Sequence, residues 1–298
     1  MKILLTGAGG FLGSIISKEI SSLHEIFTLS RNSKDFAVDL STDVPIFNCI
    51  NFDLVIHAAG LAHIIPTKLD VFHKVNVIGT QNLLMGLENS VIPKKLVFIS
   101  SVAVYGEFVG DLLNESTPLR ATDPYGKSKI EAEQLVISWC KKHKVSYTIL
   151  RLPLIVGINP PGNLGAMIRG IRWGLYFNIC GGTARKSMVL ASDIAKFVTT
   201  AADVGGIYNL TDGRHPMIQD LSREIARNLG KRVPKNLPFW IVKLVAIVGD
   251  LIGNKAPINS LKLIKITCDL TFDDSKARVA FGWDPRPVLS NISFKNLI

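Results

Sequence analysis

Cysteine is scarce in this chain. Four cysteines, Cys49, Cys140, Cys180 and Cys268, stand far apart among 298 residues, with no CxxC pair and no zinc-ligand spacing. This scarcity excludes a disulfide framework and a cysteine zinc site, and it predicts buried thiols in a reducing compartment. The apolar run near the start, residues 3–5, is too short for a signal peptide. We therefore expect a cytoplasmic protein without a metal site.

Long hydrophobic runs are also absent. The most apolar later stretch, residues 239–252, is interrupted by Lys243 and Asp250. It is shorter than the ~20 residues that a membrane-spanning helix needs. The stretch predicts a buried or amphipathic helix, with weak contact to a membrane surface as the alternative.

Charged residues make up only 19% of the chain, and acidic residues are outnumbered: 24 Asp and Glu stand against 34 Lys and Arg, a formal net charge of +10. The basic residues are scattered, and the densest run, 141–144, lies at the predicted end of a helix, where cations complement the helix dipole. No basic stripe with interleaved aromatic residues accompanies the charge. The pattern therefore disfavours nucleic-acid binding and favours anionic small-molecule ligands.

The first half of the chain alternates short apolar runs with segments of helical period. Strands are predicted at residues 3–5, 26–29, 54–56, 96–99 and 147–150, and helices at 71–87 and 125–139. This alternation predicts an α/β fold in which helices cover a parallel sheet. With 47% hydrophobic residues, the chain can bury a sizeable core.

A glycine-rich turn, TGAGGFLG at residues 6–13, follows the first predicted strand and opens the first predicted helix. Glycines let the backbone approach a pyrophosphate, and the free amides at the helix start face its negative charge. In this position the turn predicts a dinucleotide-binding site, whereas an ordinary strand-to-helix turn is the alternative. The expected fold is a Rossmann-type doubly wound parallel sheet.

The pattern changes after about residue 157, where proline and glycine pairs punctuate the chain and helices are predicted at about 217–229 and 238–252. We expect a dinucleotide-binding domain at residues 1–157. A smaller, mainly substrate-binding lobe is expected at 158–298, with the chain returning to the first domain near 187–202.

The second predicted strand ends at Ser30-Arg31, without the acidic residue that NAD sites usually present to the adenosine ribose. The guanidinium of Arg31 can instead pair with a 2′-phosphate. This favours NADP(H) as the cofactor, with NAD(H) as the alternative. A solvated surface arginine is the non-functional interpretation.

Three residues with the chemistry for hydride transfer are expected to converge. Ser101 ends a strand, and Tyr125 and Lys129 are spaced i and i+4 on one helix face. The Lys129 ammonium is expected to stabilise the Tyr125 phenolate by ~3 kcal/mol and so to lower the pKa of the tyrosine. Tyr125 would then shuttle a proton, while Ser101 would hydrogen-bond the reacting oxygen. A Tyr and Lys facing solvent are the alternative.

Several segments together resemble the extended short-chain dehydrogenase/reductases, the epimerase/dehydratase group. They are TGAGGFLG at 6–13, HAAG at 57–60, VNVIGT around Asn76, SSVAVYG at 100–106, YGKSK at 125–129 and FGWDP at 281–285. The resemblance implies Ser101, Tyr125 and Lys129 as the catalytic triad. It also implies a cofactor site formed by Gly7, Gly10, Phe11, Leu12, Gly13, Ser30, Arg31, Asp39, Leu40, Ala58, Ala59, Gly60, Asn76, Tyr125, Lys129 and Pro153.

Within this group, three reactions on nucleotide-activated sugars are open. The 4,6-dehydratases carry an Asp-Glu pair where this chain has Val102-Ala103, so dehydration is disfavoured. The segment 150–163 is more similar to the bacterial reductases and epimerases that handle UDP-N-acetylated 6-deoxyhexoses for surface polysaccharides. Arg31 favours dissociable NADPH, and hence a reductase that acts on a UDP-4-keto-6-deoxy-N-acetylhexosamine. The alternative is a UDP-hexose or UDP-N-acetylhexosamine 4-epimerase with tightly held NAD, although Leu154 stands where many epimerases have asparagine. A non-catalytic NADP-binding sensor or assembly subunit is an alternative of another class.

The resemblance further implies substrate contacts for Asn163 and Lys186, near the uracil and diphosphate, and His63 is expected at the sugar site. Lys186 replaces a more usual arginine and lacks its bidentate fork. A solvent-exposed loop histidine is the alternative for His63. The resemblance also implies a possible homodimer through helices 71–87 and 125–139.

Overall fold

A seven-stranded parallel sheet forms the centre of this computed structural model, which describes residues 1–48, 50–62, 70–252 and 259–292. The strands of the described chain are β1 (Lys2–Thr6), β2 (Glu25–Ser30), β3 (Phe36–Ala37), β4 (Leu54–His57), β5 (Lys95–Ser101), β6 (Gly110–Leu113), β7 (Ser146–Leu152), β8 (Leu154–Val156), β9 (Asn178–Ile179), β10 (Met188–Leu190), β11 (Gly206–Asn209), β12 (Asn236–Leu237) and β13 (Leu270–Phe272). The central sheet has the order β11-β7-β5-β4-β1-β2-β3.

The helices of the described chain follow the predicted alternation. They are α1 (Phe11–Ile20), α2 (Gly79–Glu88), α3 (Pro124–His143), α4 (Gly162–Arg172), α5 (Ala191–Val204), α6 (Ile218–Asn228), α7 (Phe239–Ile252), α8 (Ser260–Thr267), α9 (Ser275–Phe281) and α10 (Val288–Asn291). A π-helical turn, His73–Ile78, leads directly into α2. The basic run 141–144 lies at the end of α3, as predicted.

The strand order reverses between β1 and β4, because the chain builds outward in one direction to β3 and in the other to β11. Such a switch point opens a crevice at the carboxyl ends of the strands, which we call the carboxyl edge of the sheet. The glycine-rich turn follows β1, and residues 58–60 follow β4. This topology confirms the Rossmann-type α/β prediction.

Helices cover both faces of the central sheet, and β1 shows why its sequence is apolar throughout. Ile3 and Leu5 face one core, which also contains residues of α1 and α5, whereas Leu4 faces the other, which contains residues of α2 and α3. All three side chains are fully buried. The two cores fix α1 and α3 against opposite faces of the sheet, so their N-terminal turns meet at its carboxyl edge.

The chain re-enters the central sheet after residue 157. Helix α5 packs against α1, and β11 pairs in parallel with β7 at the edge of the sheet. A separate apolar cluster joins residues of α4, α6, β10 and α10. The domain division at residue 157 stays a prediction. Helix α5 and strand β11 follow residue 157 in the chain but pack against the first domain.

The cysteine prediction needs a correction. Cys140 is buried on α3, but Cys180 and Cys268 are partly exposed, because both lie in connecting segments of the C-terminal part. Cys49 lies outside the described residues. Among the described helices, none has both the length and the apolar character to cross a bilayer.

Candidate active site

The glycine-rich turn is packed so tightly that side chains are excluded at two positions. Gly7 has φ +71°, and a β-carbon there would lie 2.6 Å from the backbone nitrogen of Ala59. A β-carbon on Gly13 would lie 2.1 Å from the Gly7 carbonyl oxygen. Gly10 precedes α1, whose first turn carries no acidic residue and no side-chain cap. Gly7 N and Gly10 N donate to the carbonyl oxygens of Leu29 and Gly7, whereas the first amides of α1 have no partner within the helix and can face an anion.

Phe11 and Leu12 help to anchor the turn. The Leu12 side chain is buried in the core, whereas the Phe11 ring approaches the positions of Gly157 and Ala191. The first residues of α1 are thereby fixed to β8 and α5. A cofactor phosphate would meet the backbone of this turn rather than the Leu12 side chain.

The end of β2 forms the outer wall of the groove beside the glycine turn. A β-carbon on Gly9 would find only the Ser30 Oγ, at 4.0 Å, so the backbone is open there. Arg31 is exposed, and its charge contributes to a lowered pKa of Asp39, after the hydrogen bonds that Asp39 accepts from the Ser41 side chain and backbone. Leu40 is buried in the core. The Arg31 guanidinium and the Asp39 carboxylate are thus available to contact a cofactor in the groove.

A buried chain of hydrogen bonds connects the two sides of the switch point. Thr6 Oγ1 lies 2.7 Å from His57 Nδ1 and accepts a bond from Ala59 N at 3.1 Å. On the other side of the ring, His57 Nε2 lies 2.9 Å from Thr80 Oγ1, which donates to the Asn76 carbonyl oxygen at 2.6 Å.

These bonds define the tautomer of His57. Because the Thr80 hydroxyl already donates to Asn76, it must accept from the Nε2–H of His57, and the neutral ring then accepts from Thr6 at Nδ1. Burial lowers the pKa of His57 to about 3, with a further contribution from Lys129. The ring is therefore neutral and holds the strand ends of β1 and β4 beside the helix that carries Asn76.

Asn76 joins the groove to helix α3. Its Oδ1 accepts from Leu61 N at 2.7 Å, and its Nδ2 donates to Ser128 Oγ at 2.9 Å. Ser128 in turn donates to the carbonyl oxygen of Tyr125 at 2.7 Å. A β-carbon on Gly60 would lie 3.2 Å from Asn76 Oδ1. The loop 58–61 therefore has a fixed position relative to the first turn of α3.

The structure brings Ser101 and Tyr125 near each other, and the Ser101 side chain lowers the pKa of Tyr125, against the larger raising effect of burial. Ser101 ends β5 and its Oγ accepts from Ala103 N at 3.2 Å. Tyr125 lies in the first turn of α3, where Asp123 accepts from Gly126 N and caps the helix. Burial raises the pKa of Tyr125. At neutral pH the residue is therefore a phenol, able to donate a proton.

Lys129 reaches the same region but makes a different contact. Its Nζ donates to the carbonyl oxygen of Ile99 at 2.6 Å and lies 4.3 Å from the centre of the Phe98 ring. Burial lowers the pKa of Lys129 to about 8, so its ammonium form predominates at pH 7. The predicted lowering of the Tyr125 pKa is wrong for this arrangement, because burial of the phenol dominates while the ammonium is directed to a backbone carbonyl.

A buried ion pair behind the candidate triad was not predicted. Arg151 on β7 donates to both carboxylate oxygens of Glu133, from Nε at 3.1 Å and from Nη2 at 2.7 Å. Ser100, the neighbour of Ser101, also donates to Glu133. Glu133 follows Lys129 by one helical turn, so the spacing Tyr125, Lys129, Glu133 would have indicated it. The pair joins α3 to β5 and β7.

The remaining predicted site residues of the described chain lie in separate elements. Pro153 lies half-buried between β7 and β8, and Asn163 is exposed on the first turn of α4. Lys186 Nζ donates to the Cys268 carbonyl oxygen at 2.8 Å, so its ammonium is anchored to the backbone. His63 lies outside the described residues. The substrate roles of Asn163, Lys186 and His63 and the cofactor role of Pro153 stay predictions.

The arrangement fits a dinucleotide and hydride transfer. Free amides of the α1 start stand at the carboxyl edge of β1, where Gly7 and Gly13 allow backbone segments to approach too closely for a β-carbon. The phenol of Tyr125 and the hydroxyl of Ser101 lie at the carboxyl edge of β5, two strands away. This separation leaves a groove in which a nicotinamide and a substrate carbon could meet.

Comparisons with known proteins point to one group. The model of the NAD dependent epimerase/dehydratase family matches residues 3–211. The N-acetyl-α-D-glucosaminyl-diphospho-ditrans,octacis-undecaprenol 4-epimerase of Escherichia coli O157:H7 is 28% identical, over 92% of this chain and 88% of its own. The UDP-glucose 4-epimerase of Vibrio cholerae is 27% identical, over 96% and 92%.

A solved structure shows the same fold. The UDP-glucose 4-epimerase of Bifidobacterium longum, in complex with NAD⁺ and UDP, superposes with a TM-score of 0.76. The match covers 100% of this chain and 97% of that one, at 20% sequence identity. A likeness at this identity concerns the fold rather than the substrate.

Proposed function

The chain belongs to the NAD dependent epimerase/dehydratase family, and from this premise we propose that it transfers a hydride from NADPH to the C4 ketone of a UDP-4-keto-6-deoxy-N-acetylhexosamine. The family membership makes it an NAD(P)-dependent enzyme of the extended short-chain dehydrogenase/reductase type. The non-catalytic sensor or assembly subunit is therefore set aside. We further propose a cytoplasmic location and, as the resemblance implied, a homodimer.

The observation that carries the reductive direction is the Tyr125 phenol near Ser101, which burial keeps protonated at neutral pH. Reduction of a ketone requires a proton donor at the developing alkoxide, and a phenol whose pKa is raised by burial retains its proton at pH 7. When bound, the nicotinamide cofactor supplies the hydride. Tyr125 donates the proton to the sugar oxygen, and the Ser101 hydroxyl orients that oxygen.

Lys129 has a supporting role in this proposal. With a pKa of about 8 its ammonium is present at pH 7, close to Gly60 and to the carbonyl of Ile99. Because its Nζ is directed to the Ile99 carbonyl rather than to the Tyr125 phenol, we assign the Lys129 ammonium to the cofactor side of the groove, as the resemblance implied. The segment after Ser101 begins with Val102 and Ala103 and supplies no carboxyl group for elimination of water.

The direction of the reaction can be tested by following the cofactor. A reductase consumes NADPH, so we expect its absorbance to fall in proportion to the UDP-4-keto-6-deoxy-N-acetylhexosamine supplied. UDP-galactose and UDP-N-acetylgalactosamine are expected to remain unconverted to their 4-epimers. The control is the same assay with NADPH and no keto sugar. Interconversion of those sugars without added cofactor, and no net NADPH oxidation, would contradict the reductase.

A second prediction concerns Arg31. Charge-assisted bonds from its guanidinium to a 2′-phosphate contribute ~1.5–3 kcal/mol, so Arg31→Ala is expected to weaken NADPH binding by about 10- to 150-fold. NADH binding should be nearly unchanged. Titration of cofactor fluorescence measures both affinities. Lys34→Ala, at another exposed cation of the same loop, is the matched control. Equal losses for NADPH and NADH would assign Arg31 a different role.

The second candidate is a 4-epimerase with tightly held NAD. The names of the two curated relatives favour it, because both act as 4-epimerases and match almost the whole chain. The same Tyr125 and Ser101 would serve, since epimerisation includes reduction of a 4-keto sugar. NAD that co-purifies and resists dialysis would support this candidate.

A further inference from the structure

Helix α7 presents an apolar stripe to solvent. Trp240, Leu244 and Ile247, spaced i, i+4 and i+7, are 65%, 58% and 51% exposed, and Phe239 at the start of the helix is exposed as well. Lys243 lies between them on the same side. Residues at this spacing form a single face of an α-helix. Exposed large side chains are usually isolated, whereas these are contiguous.

The opposite face of α7 is already used for packing. Val242 and Ala246 are buried against Leu263 of α8, with Ile179 and Leu237 beside them. The buried residues Val242, Ala246 and Gly249 repeat the same spacing on the inner side. The helix therefore has two apolar faces, and only the inner one is covered by the chain.

A second exposed apolar segment lies close to α7. Trp173 and Leu175 are each 75% exposed, and Phe177 immediately precedes β9. Strand β9 pairs in parallel with β12, and Asn178 N donates to the Lys235 carbonyl oxygen, so Phe177 lies beside the end of the segment 231–235. That segment includes Lys231, Arg232 and Lys235, all exposed. Strand β12 is two residues long and leads within one residue to α7. We call the α7 stripe with these two segments the α7 surface.

Exposed cations lie on and beside this surface. Lys231, Arg232, Lys235 and Lys243 are all exposed, whereas helix α7 and the segment 231–235 contain a single acidic residue, Asp250. The side chain of Asp250 is occupied by hydrogen bonds from Ser260. These cations give the surface a local positive charge.

We propose that the α7 surface docks on an anionic lipid bilayer, with Trp240, Leu244 and Ile247 at the boundary between headgroups and acyl chains. Apolar stripes that contain tryptophan and are flanked by lysine are the pattern of helices that lie in that boundary. The surrounding cations complement anionic headgroups. This interaction goes beyond the proposed reaction and orients the enzyme at the membrane.

The positive charge and the apolar side chains of the α7 surface argue against two other binding partners. A second copy of the chain would bring two clusters of like charge together, which opposes association. A nucleic acid would use the cations but would leave the aliphatic side chains Leu244 and Ile247 without a partner. A bilayer with anionic headgroups uses both features.

Co-sedimentation with lipid vesicles tests the proposal, without substrate or cofactor, so that its result is independent of the proposed reaction. The full chain is expected to sediment with vesicles of phosphatidylcholine and phosphatidylglycerol, and much less with phosphatidylcholine alone. High salt should weaken the binding, because it screens the attraction between the cations and the headgroups. The emission of Trp240 should shift to the blue on binding.

Two variants separate the apolar and the charged contributions. Leu244→Gln with Ile247→Gln is expected to lower the partition coefficient roughly 10- to 100-fold, because it removes two inserted side chains. Lys235→Gln with Lys243→Gln should lower it only for anionic vesicles. The matched controls are Leu23→Gln, an exposed leucine in the first lobe, and Lys18→Gln with Lys141→Gln, both expected to bind like wild type.

Three outcomes would overturn the proposal. The first is vesicle binding that the Leu244 and Ile247 substitutions leave unchanged. The second is no binding to anionic vesicles by the wild-type protein. The third is a dimer in analytical ultracentrifugation that the same substitutions dissociate, which would assign the surface to a contact between copies. Circular dichroism of each variant checks that the fold is retained.

Discussion

Tyr125→Phe is expected to lower the turnover number by ~100-fold or more while leaving the fold intact. The substitution keeps the ring, which packs 5.7 Å from the Phe72 ring between centres, and removes only the hydroxyl. Without the hydroxyl, Tyr125 has no proton to donate to the sugar oxygen. Steady-state kinetics with the keto sugar and NADPH measures the loss, and cofactor titration shows whether binding is retained.

Tyr147→Phe provides the matched control, because Tyr147 lies on β7 and belongs to the core on one face of the sheet. It loses the same oxygen atom away from the groove and should retain wild-type turnover. Near-normal turnover of Tyr125→Phe would rule out the proposed role of this tyrosine. A loss caused by unfolding would appear in circular dichroism and would not be specific to turnover.

The second large effect is expected at Glu133. Glu133→Gln removes the negative charge that faces Arg151 and leaves a guanidinium buried without its counter-charge. Breaking one partner of a buried pair lowers the free energy of unfolding by about 3–5 kcal/mol. Urea denaturation measures this change. The control is Glu131→Gln on the same helix, whose exposed carboxylate only approaches His73, at 3.4 Å. That substitution should change stability by less than ~1 kcal/mol.

Glu133 also affects the pH dependence of turnover. Its charge raises the pKa of Lys129, against the larger lowering by burial. The ammonium is present below its pKa and is lost as the pH rises through that value. Without Glu133 the pKa falls further below about 8, so activity should decline at a lower pH than in wild type. An unchanged alkaline limit would show that Glu133 acts on the fold alone.

A double variant distinguishes an unpaired charge from a lost contact. Glu133→Gln with Arg151→Met removes both charges, and it should be more stable than Glu133→Gln alone. Recovery of stability without recovery of the alkaline limit would separate the two effects of Glu133. A double variant as unstable as the single one would contradict the interpretation of a buried, unpaired guanidinium.

The sequence allowed the parts of the site with short spacing to be predicted. The glycine turn follows a strand and begins a helix, and Tyr125 and Lys129 share one helix face, so local rules suffice for both. The five main strands and the alternation with helices were also predictable, because buried parallel strands are apolar without interruption. These elements bring Ser101 and Tyr125 together.

The long-range contacts could not be predicted. Arg151 lies on a strand and Glu133 on a helix, so they meet only after the sheet has formed. The hydrogen-bonded residues Thr6, His57 and Thr80 are likewise far apart in sequence. The predicted direction of the Tyr125 pKa shift was wrong. The sequence indicates the neighbouring lysine, but it does not show that the phenol is buried. Lys186 shows the same limit, since its anchor is a backbone carbonyl.

The hydrogen-bond chain through His57 affects how the pH–rate profile of this enzyme is interpreted. When the rate of an enzyme changes near neutral pH, the titration of a histidine is the usual explanation. Here the ring at the switch point holds a fixed tautomer and has a pKa of about 3, so it cannot gain a proton between pH 5 and pH 9. The hydrogen-bond chain between β1, β4 and Thr80 is therefore insensitive to pH in that range. A bend in the rate profile there reports on other groups, such as Lys129 with its pKa of about 8, and this part of the groove wall stays unchanged.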